Sequence, residues 1–477
     1  MIDRMQALSD QELRQVHAAS MRILNNPGVK FTSPEALEVF RRHGFTCQGS
    51  CVTFTEKQVL RALEQIPSRF IVHAPNPGRN VPIGGGDFVF LPTGGAPRVS
   101  TLSGEQRAAT LQDYHRCCKL VQTSDQLDMN GMLMVQPTDC APETAHLDVL
   151  LANMLLCDKA SVGAAMSRQA AEDCLDMAAI AWGGREKLGQ QPVMTTIISV
   201  TSPLKYAADE AEALIRMARA GQPVVITDLV MAGASGPISL PGLLALANAE
   251  ILAGIVLTQV VGPGTPAVYG SVSAPADMRT VASAVGAPEA VLLASAVIQL
   301  AQYYGLPCRT GGMLTNAHCP DAQAGAEGTL MMSTAVRNGA NFIFQACGQL
   351  GSYISMSFEK WLLDEEVCRS LRRIVAGMHI NAHTLDIETI QNVGIDGNYL
   401  LHPSTFDHCR DLYQPEAFTR SDYAQWWGMG GKRVDEVAAE RLPARLAKYA
   451  KPEVDSGLEQ ALRDFVHQRK AAVLKSA

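Results

Sequence analysis

Eight short apolar runs, each followed by a stretch with helical periodicity, constrain this chain more than any other feature of it. They occupy residues 87–91 (DFVFL), 129–135, 160–166, 194–200, 223–228 (PVVITD), 267–270, 307–312 (PCRTGG) and 342–347 (FIFQAC). Successive runs begin roughly 30 to 45 residues apart, the length of one parallel strand plus its crossover helix. Eight such units close into a barrel. The expected fold is therefore α/β: a (β/α)8 TIM barrel over residues 84–380, preceded by a mainly helical N-terminal cap (1–83) and followed by a C-terminal extension (381–477). Barrels of this kind carry their chemistry at the C-terminal ends of the strands, which says where to look.

Composition excludes several classes. Of 477 residues, 47% are hydrophobic and 18% charged, which fits a well-buried enzyme and not a disordered chain. A net charge of −7 argues against nucleic acid or other polyanionic partners. The 12 cysteines are scattered and contain no CxxC, so neither a disulfide framework nor a four-cysteine zinc site is expected. The acidic first residues lack an apolar stretch, so no signal peptide is expected. Nor does any segment approach ~18 uninterrupted apolar residues, so no membrane span is expected either. These features together point to the cytoplasm.

Local signals support the division. Ser9 and Glu12 form a capping box ahead of Leu13, Val16, Met21 and Leu24 at helical spacing. Further cap helices are expected over about 33–43 and 56–65, with a β-like piece at 51–54. Within the barrel, helices are expected over 207–220, 241–258, 289–304 and 322–338. Gly221 and Gly305 stop two of them, and Pro223 and Pro307 then open the next strands. The eighth helix, in FEKWLLDEEVCRSLRRIVAG, sets Asp364, Glu365 and Glu366 ahead of Arg369, Arg372 and Arg373, in the order the helix dipole favours. Beyond it the chain turns polar and loop-rich before a charged helix from about 458 to 474, an extension that could cover the mouth or make an oligomer contact.

The strand ends supply the candidate site: Thr93 and Gly94; Gln136; Ser167; Thr201 and Ser202; Asp228; Gly270 and Ser271; Gly312, Met313 and Asn316; Gln345. This lining holds no cluster of His and carboxylates at metal-ligand spacing, no lysine for a Schiff base and one acid. Metal-dependent and Schiff-base chemistry are disfavoured, and no tightly bound metal is expected. The glycines at 93–95, 262–264 and 310–313 could cradle a phosphate but match no GxGxxG or P-loop pattern, and they read first as turns or as room for a flat ligand. His379 and His383, and His318 beside Cys319, lack the partners that would complete a zinc site. Arg309 lies inside the seventh strand, where it either pairs with a core acid or meets a substrate carboxylate. Asp228 either faces a cationic substrate or caps a loop. Aromatics near the mouth, including Tyr269, Phe344 and Tyr353, belong to the core or to a cage of ring faces for a quaternary ammonium.

Several segments, in their order and spacing, resemble the trimethylamine methyltransferase family, the corrinoid-protein-dependent methyltransferases that include glycine betaine methyltransferases. They are SPLKY (202–206), GASGPISLPGLLALANAEILAG (233–254), PGTPAVYGS (263–271) with ADMR (276–279), GLPCRTGGMLTNAHCPDAQAGAE (305–327), FEKWLLDEE (358–366) and LLHPSTFDH (400–408). The similarity runs from about residue 15 to 450. The resemblance implies a barrel that holds a methylated amine at its mouth while a corrinoid protein docks above it and its Co(I) takes the methyl group. Founding members of the family carry pyrrolysine. This chain has only the twenty standard residues, which favours a quaternary amine, such as glycine betaine or a related betaine, over trimethylamine.

Under that reading Asp228, Tyr269, Arg309, Gly312, Met313, Asn316, Phe344, Gln345 and Tyr353 are expected to bind the substrate. Thr93, Gly94, Ser271 and His402 are expected to face the corrinoid, and the chain is expected to be a homo-oligomer. A non-catalytic betaine-binding homologue and a metal-assisted lyase on the same fold are the alternatives.

Overall fold

The computed structural model describes residues 4–476. All eight expected runs are parallel strands: β1 (Val89–Phe90), β2 (Met129–Asn130), β3 (Ala160–Gly163), β4 (Met194–Ser199), β5 (Val224–Asp228), β6 (Ala267–Ser271), β7 (Cys308–Gly311) and β8 (Phe342–Phe344). They are joined in the order β1-β8-β7-β6-β5-β4-β3-β2. The remaining seam, between β1 and β2, is closed by different means. The Asp128 backbone N–H donates to the Phe90 carbonyl (3.0 Å), and the Asp128 carboxylate replaces a ladder bond by accepting from the Phe90 N–H (2.7 Å). Higher up, Gly95 N–H donates to Leu133 O and Gln136 N–H to Ala96 O.

The crossover helices are α1 (Leu111–Gln122), α2 (Ala145–Leu156), α3 (Arg168–Trp182), α4 (Ala208–Arg219), α5 (Leu240–Val261), α6 (Pro288–Tyr303), α7 (Ala322–Asn338) and α8 (Phe358–Ala376). Of these, α5 is long and apolar enough to cross a membrane, yet 83% of its most apolar window is buried within the protein. It is apolar all round because both faces are covered, one by the barrel and the other by the N-terminal helices Asp10–Asn25 and Glu56–Leu63. Across that interface the Ser20 hydroxyl donates to Ala245 O (2.9 Å).

The helical part of the cap has no core of its own, because its apolar residues, from Leu13 to Ile66, belong to the same cluster as the outer faces of the strands and the barrel helices. Its capping box at Ser9 and Glu12 forms as expected. A hairpin of Arg69–Val72 and Val81–Gly84 presents Phe70, Val72, Val81 and Ile83 to the inward side chains Val89, Met129, Val225, Val268 and Phe342. This hairpin plugs the N-terminal end of the barrel. A ligand must enter from the other end.

The extension divides in two. Helices Val434–Ala447 and Ser456–Ser476 brace the outer wall: the first packs on α8, and the second pairs Arg469 with Asp173 of α3 and Lys470 with Asp148 of α2. Between α8 and these helices the chain makes only short helical pieces that stand off the barrel. The acids of α8 also differ from the expected dipole pattern. Asp364 pairs with Lys360 (2.6 Å) and accepts from Gly348 N–H, Glu365 accepts from Trp361 Nε1, and Glu366 accepts from the Glu416 and Ala417 N–H groups. All three are buried mid-helix and do not cap a helix end: Asp364 and Glu366 tie loops to α8, and Glu365 also pairs with Arg445 of the helix Val434–Ala447.

Candidate active site

Alternation along each strand decides what reaches the lumen. Val225 of β5, Val268 of β6, and Phe342 and Phe344 of β8 belong to the interior cluster, whereas Val224, Ile226, Tyr269, Cys308 and Ile343 pack outward against the helices. Thr227 therefore points inward beside Val225, Gly270 beside Val268, and Arg309, flanked by the outward Cys308, points inward on β7. Registers place Arg309 beside Gly270 on one side and Phe342 on the other. A Cβ at Gly270 would lie 3.0 Å from that of Arg309, so glycine there leaves room for the arginine stem.

The Arg309 guanidinium dominates the lumen. It is 2% exposed, donates to Gln345 Oε1 (3.1 Å) and Thr227 Oγ1 (3.4 Å), and lies 5.5 Å from the centre of the Phe344 ring. Its Nε has no acceptor. Among the described residues no carboxylate lies within ion-pair distance of it. Burial pulls its pKa down to about 10, against the raising influence of Tyr353 and Asp228. Close by, the buried Tyr353 hydroxyl also lacks a partner, and burial raises its pKa to about 12. Gln345, Ser352 and Tyr353 all take positive φ (56°, 52° and 76°), so the loop beyond β8 holds strained backbone where these groups converge. Asn316 steadies that loop by donating to the Ser352 hydroxyl (2.6 Å) and to Ser283 O.

Other candidates sit elsewhere. Asp228 and Ser271 follow the outward parity of their strands: the Ser271 and Ser273 hydroxyls donate to Asp228 Oδ1 (2.5 and 2.9 Å), while Oδ2 has no partner. Burial raises Asp228 to about 6, against those two hydrogen bonds and the charge of Arg309. Tyr269 also faces outward, its hydroxyl donating to Asn248 Oδ1 of α5 (2.9 Å). Gly312 packs on the Ala346 backbone. Met313 is buried beneath α7, and its carbonyl accepts from Lys360 Nζ (3.1 Å). Thr93 donates to Gln349 Oε1 (2.6 Å). Gly94 lies flat on the Phe344 ring, where a Cβ would meet Cζ at 2.4 Å, and Gly95 beside it faces open space. His402 caps the helix Pro403–His408 in the outstanding part of the extension.

Thus Arg309, Phe344, Gln345 and Tyr353 come together in the lumen, with Gly94 on the Phe344 ring. Asp228 stands behind the barrel wall, and Gly312, Met313 and Asn316 hold the frame. Glu250 of α5 was not among the candidates. It is buried, accepts from the Ser202 hydroxyl and Leu204 N–H (both 2.6 Å), and is raised to about 7 by burial and then by the charge of Asp228. The signal was there, since it is the one charged residue in a 22-residue apolar helix.

Among the described residues no three His, Cys, Asp or Glu side chains group as metal ligands. The barrel is plugged at one end and carries, at the other, a buried guanidinium without an acid partner beside the Phe344 ring. Comparison with known proteins gives the chemistry. The profile of the trimethylamine methyltransferase (MTTB) family matches residues 1–473, and the chain belongs to that family of methyltransferases.

It is 38% identical over 463 residues to the glycine betaine methyltransferase of Desulfitobacterium hafniense (strain Y51), covering 97% of this chain and 96% of that one. It is 30% identical over 477 residues to the proline betaine:corrinoid methyltransferase of Eubacterium limosum, covering 96% of each. Among solved structures, the monomethylamine methyltransferase (MtmB) of Methanosarcina barkeri superposes with a TM-score of 0.51 at 11% identity, over 95% of this chain and 96% of that one, a likeness of fold.

Proposed function

We propose that this methyltransferase demethylates a betaine, a quaternary amine that also carries a carboxylate, and passes the methyl group to a corrinoid borne by a separate protein. The observation that carries the reading is Arg309, a guanidinium buried in the lumen with no acid partner. An unpaired buried charge is costly unless a counter-ion arrives, and a substrate carboxylate is that counter-ion. The Tyr353 hydroxyl supplies a second donor. Asp228 adds negative potential through the wall.

The corrinoid supplies a Co(I) nucleophile for the methyl carbon. The lumen residues fix the carboxylate end, so that the N-methyl groups point out of the mouth, and they exclude water. As the C–N bond breaks, its electron pair stays on nitrogen and leaves a neutral tertiary amine. No proton is needed, which suits a lumen without acid or base catalysts. The rim at Thr93, Gly94 and the open Gly95 would face the corrinoid protein. The relatives named for glycine betaine and proline betaine support the substrate class. The enzyme acts in the cytoplasm, with no nucleic acid or membrane partner.

The test is demethylation of a panel by cob(I)alamin, read as methylcobalamin. Glycine betaine and cyclic or longer betaines should react, and choline, tetramethylammonium and trimethylamine should react at least 100-fold more slowly. Equal rates with choline would overturn the role of Arg309, and silence with every quaternary amine would overturn the reading.

A further inference from the structure

Among the described residues, only two inward side chains of the barrel strands are open to solvent, and both lie on β4. Ile197 is half-buried and Ser199 is exposed, whereas inward residues of the other strands, such as Val162, Thr227, Val268 and Arg309, are buried. Register settles which way the two point. Ile197 pairs with the inward Val225 and packs on the interior cluster, and Ser199 pairs with the inward Thr227. The free space inside the barrel therefore lies against β4.

This wall faces the guanidinium across the lumen. In the ring β1-β8-β7-β6-β5-β4-β3-β2, β4 stands opposite β8, and Ser199 and Phe344 are the last residues of those two strands. Arg309 bears on Phe344 and on Gln345 just beyond it. An eight-stranded barrel is wide enough to hold one small ligand. A betaine whose carboxylate meets Arg309 thus carries its nitrogen toward β4. The Phe344 ring is already in contact with the guanidinium and with Gly94, so the alkyl groups on nitrogen find their contacts on the open side. Those contacts are apolar: Ile197 in the wall, with Met166 (57% exposed) and Leu229 (38%) in the loops that follow the neighbouring strands β3 and β5. Charge agrees with the orientation, because Asp228, the residue after Thr227, stands behind the same part of the wall.

We propose that Ser199 sets the size of the nitrogen end this enzyme accepts, and that its small side chain admits betaines carrying one N-alkyl group larger than methyl. The inference rests on the betaine reading and on Arg309 as partner of the carboxylate. The larger alkyl group lies against β4, and the remaining N-methyl groups face the mouth. Position 199 controls size because every other inward strand position except Ile197 is closed by packing. A larger side chain elsewhere must repack the core, whereas one at 199 grows into free space and takes it from the substrate.

The test is calorimetric binding of glycine betaine and of its N-ethyl-N,N-dimethyl and N-butyl-N,N-dimethyl analogues, with methylcobalamin formation from cob(I)alamin followed alongside. Wild type should bind the N-butyl compound at least as tightly as glycine betaine. Ser199→Leu should weaken the N-butyl compound relative to glycine betaine by about 50-fold or more, and Ser199→Val by an intermediate factor. Ser199→Ala should hold that ratio within about twofold, since volume and not the hydroxyl does the selecting. Melting temperatures check that each variant folds, and Ser199→Val carries the same test where Ser199→Leu does not. A wild type that binds glycine betaine but rejects the N-butyl compound, a ratio indifferent to Leu and Val, or a ratio that falls as far with Ala as with Leu would each overturn this proposal alone. A wild type that binds no member of the series, glycine betaine included, would overturn the betaine reading and this proposal with it.

Discussion

At the scale of single residues, the lumen is balanced against stability. Arg309 is buried without an ion-pair partner, so Arg309→Met should raise folding stability by about 1–3 kcal/mol and at the same time weaken betaine binding by about 100-fold or more. Thermal melting and calorimetric titration read the two effects separately, and a variant that loses both binding and stability would contradict the geometry. For Tyr353, whose buried hydroxyl has no partner, Tyr353→Phe should raise KM for glycine betaine about tenfold, the worth of one hydrogen bond to a charged group. It should not change turnover of any substrate lacking a carboxylate.

The sequence names these residues readily, but it does not tell which face of its strand each occupies. In a parallel barrel both faces of a strand are buried, so no polar alternation marks inside from outside. For that reason Tyr269 and Arg309, on neighbouring strands and equally candidate by position, end on opposite sides of the wall.

Among the elements, α5 holds the clearest pH device. Glu250 is raised to about 7 in the folded state from an ordinary 4.5, with Asp228 raised beside it to about 6. A carboxyl whose folded pKa lies above its unfolded one stabilises fully below the unfolded value, and that contribution is lost as pH rises through the folded one. Wild-type stability should therefore decline between about pH 4.5 and 7 relative to Glu250→Gln, which keeps the acceptor for Leu204 N–H and carries no charge. Denaturant titrations of both proteins at pH 5 and pH 8 check the difference, expected at a few kcal/mol.

Element boundaries were largely legible, because caps and helix stops are local. Ser9 with Glu12 fixes one start, and the helix expected over 322–338 is Ala322–Asn338. The role of the α8 acids was not legible, since their partners, Gly348, Arg445 and the 416–417 backbone, come from other parts of the chain.

For the molecule as a whole, one apolar core runs from Leu13 of the cap through the barrel to Leu462 and Val466 of the last helix. Calorimetry should accordingly show a single cooperative transition, and a separate early melting of the cap would contradict a shared core. The last helix is part of this unit. Arg469 binds Asp173, which is 1% exposed and is held below its ordinary pKa because hydrogen bonds from His146 and Arg469 outweigh its burial. Arg469→Met should thus cost about 3 kcal/mol, read as a lower melting temperature.

What the sequence determined by itself was the barrel, its eight strand positions and the family, because spacing, caps and motif order are properties of the chain read in line. Only the tertiary structure decided which strand faces line the lumen, that Arg309 lacks an acid partner, and that the lumen is open on the β4 side. Those depend on which distant residues the closed barrel brings together, and spacing along the chain carries no record of that.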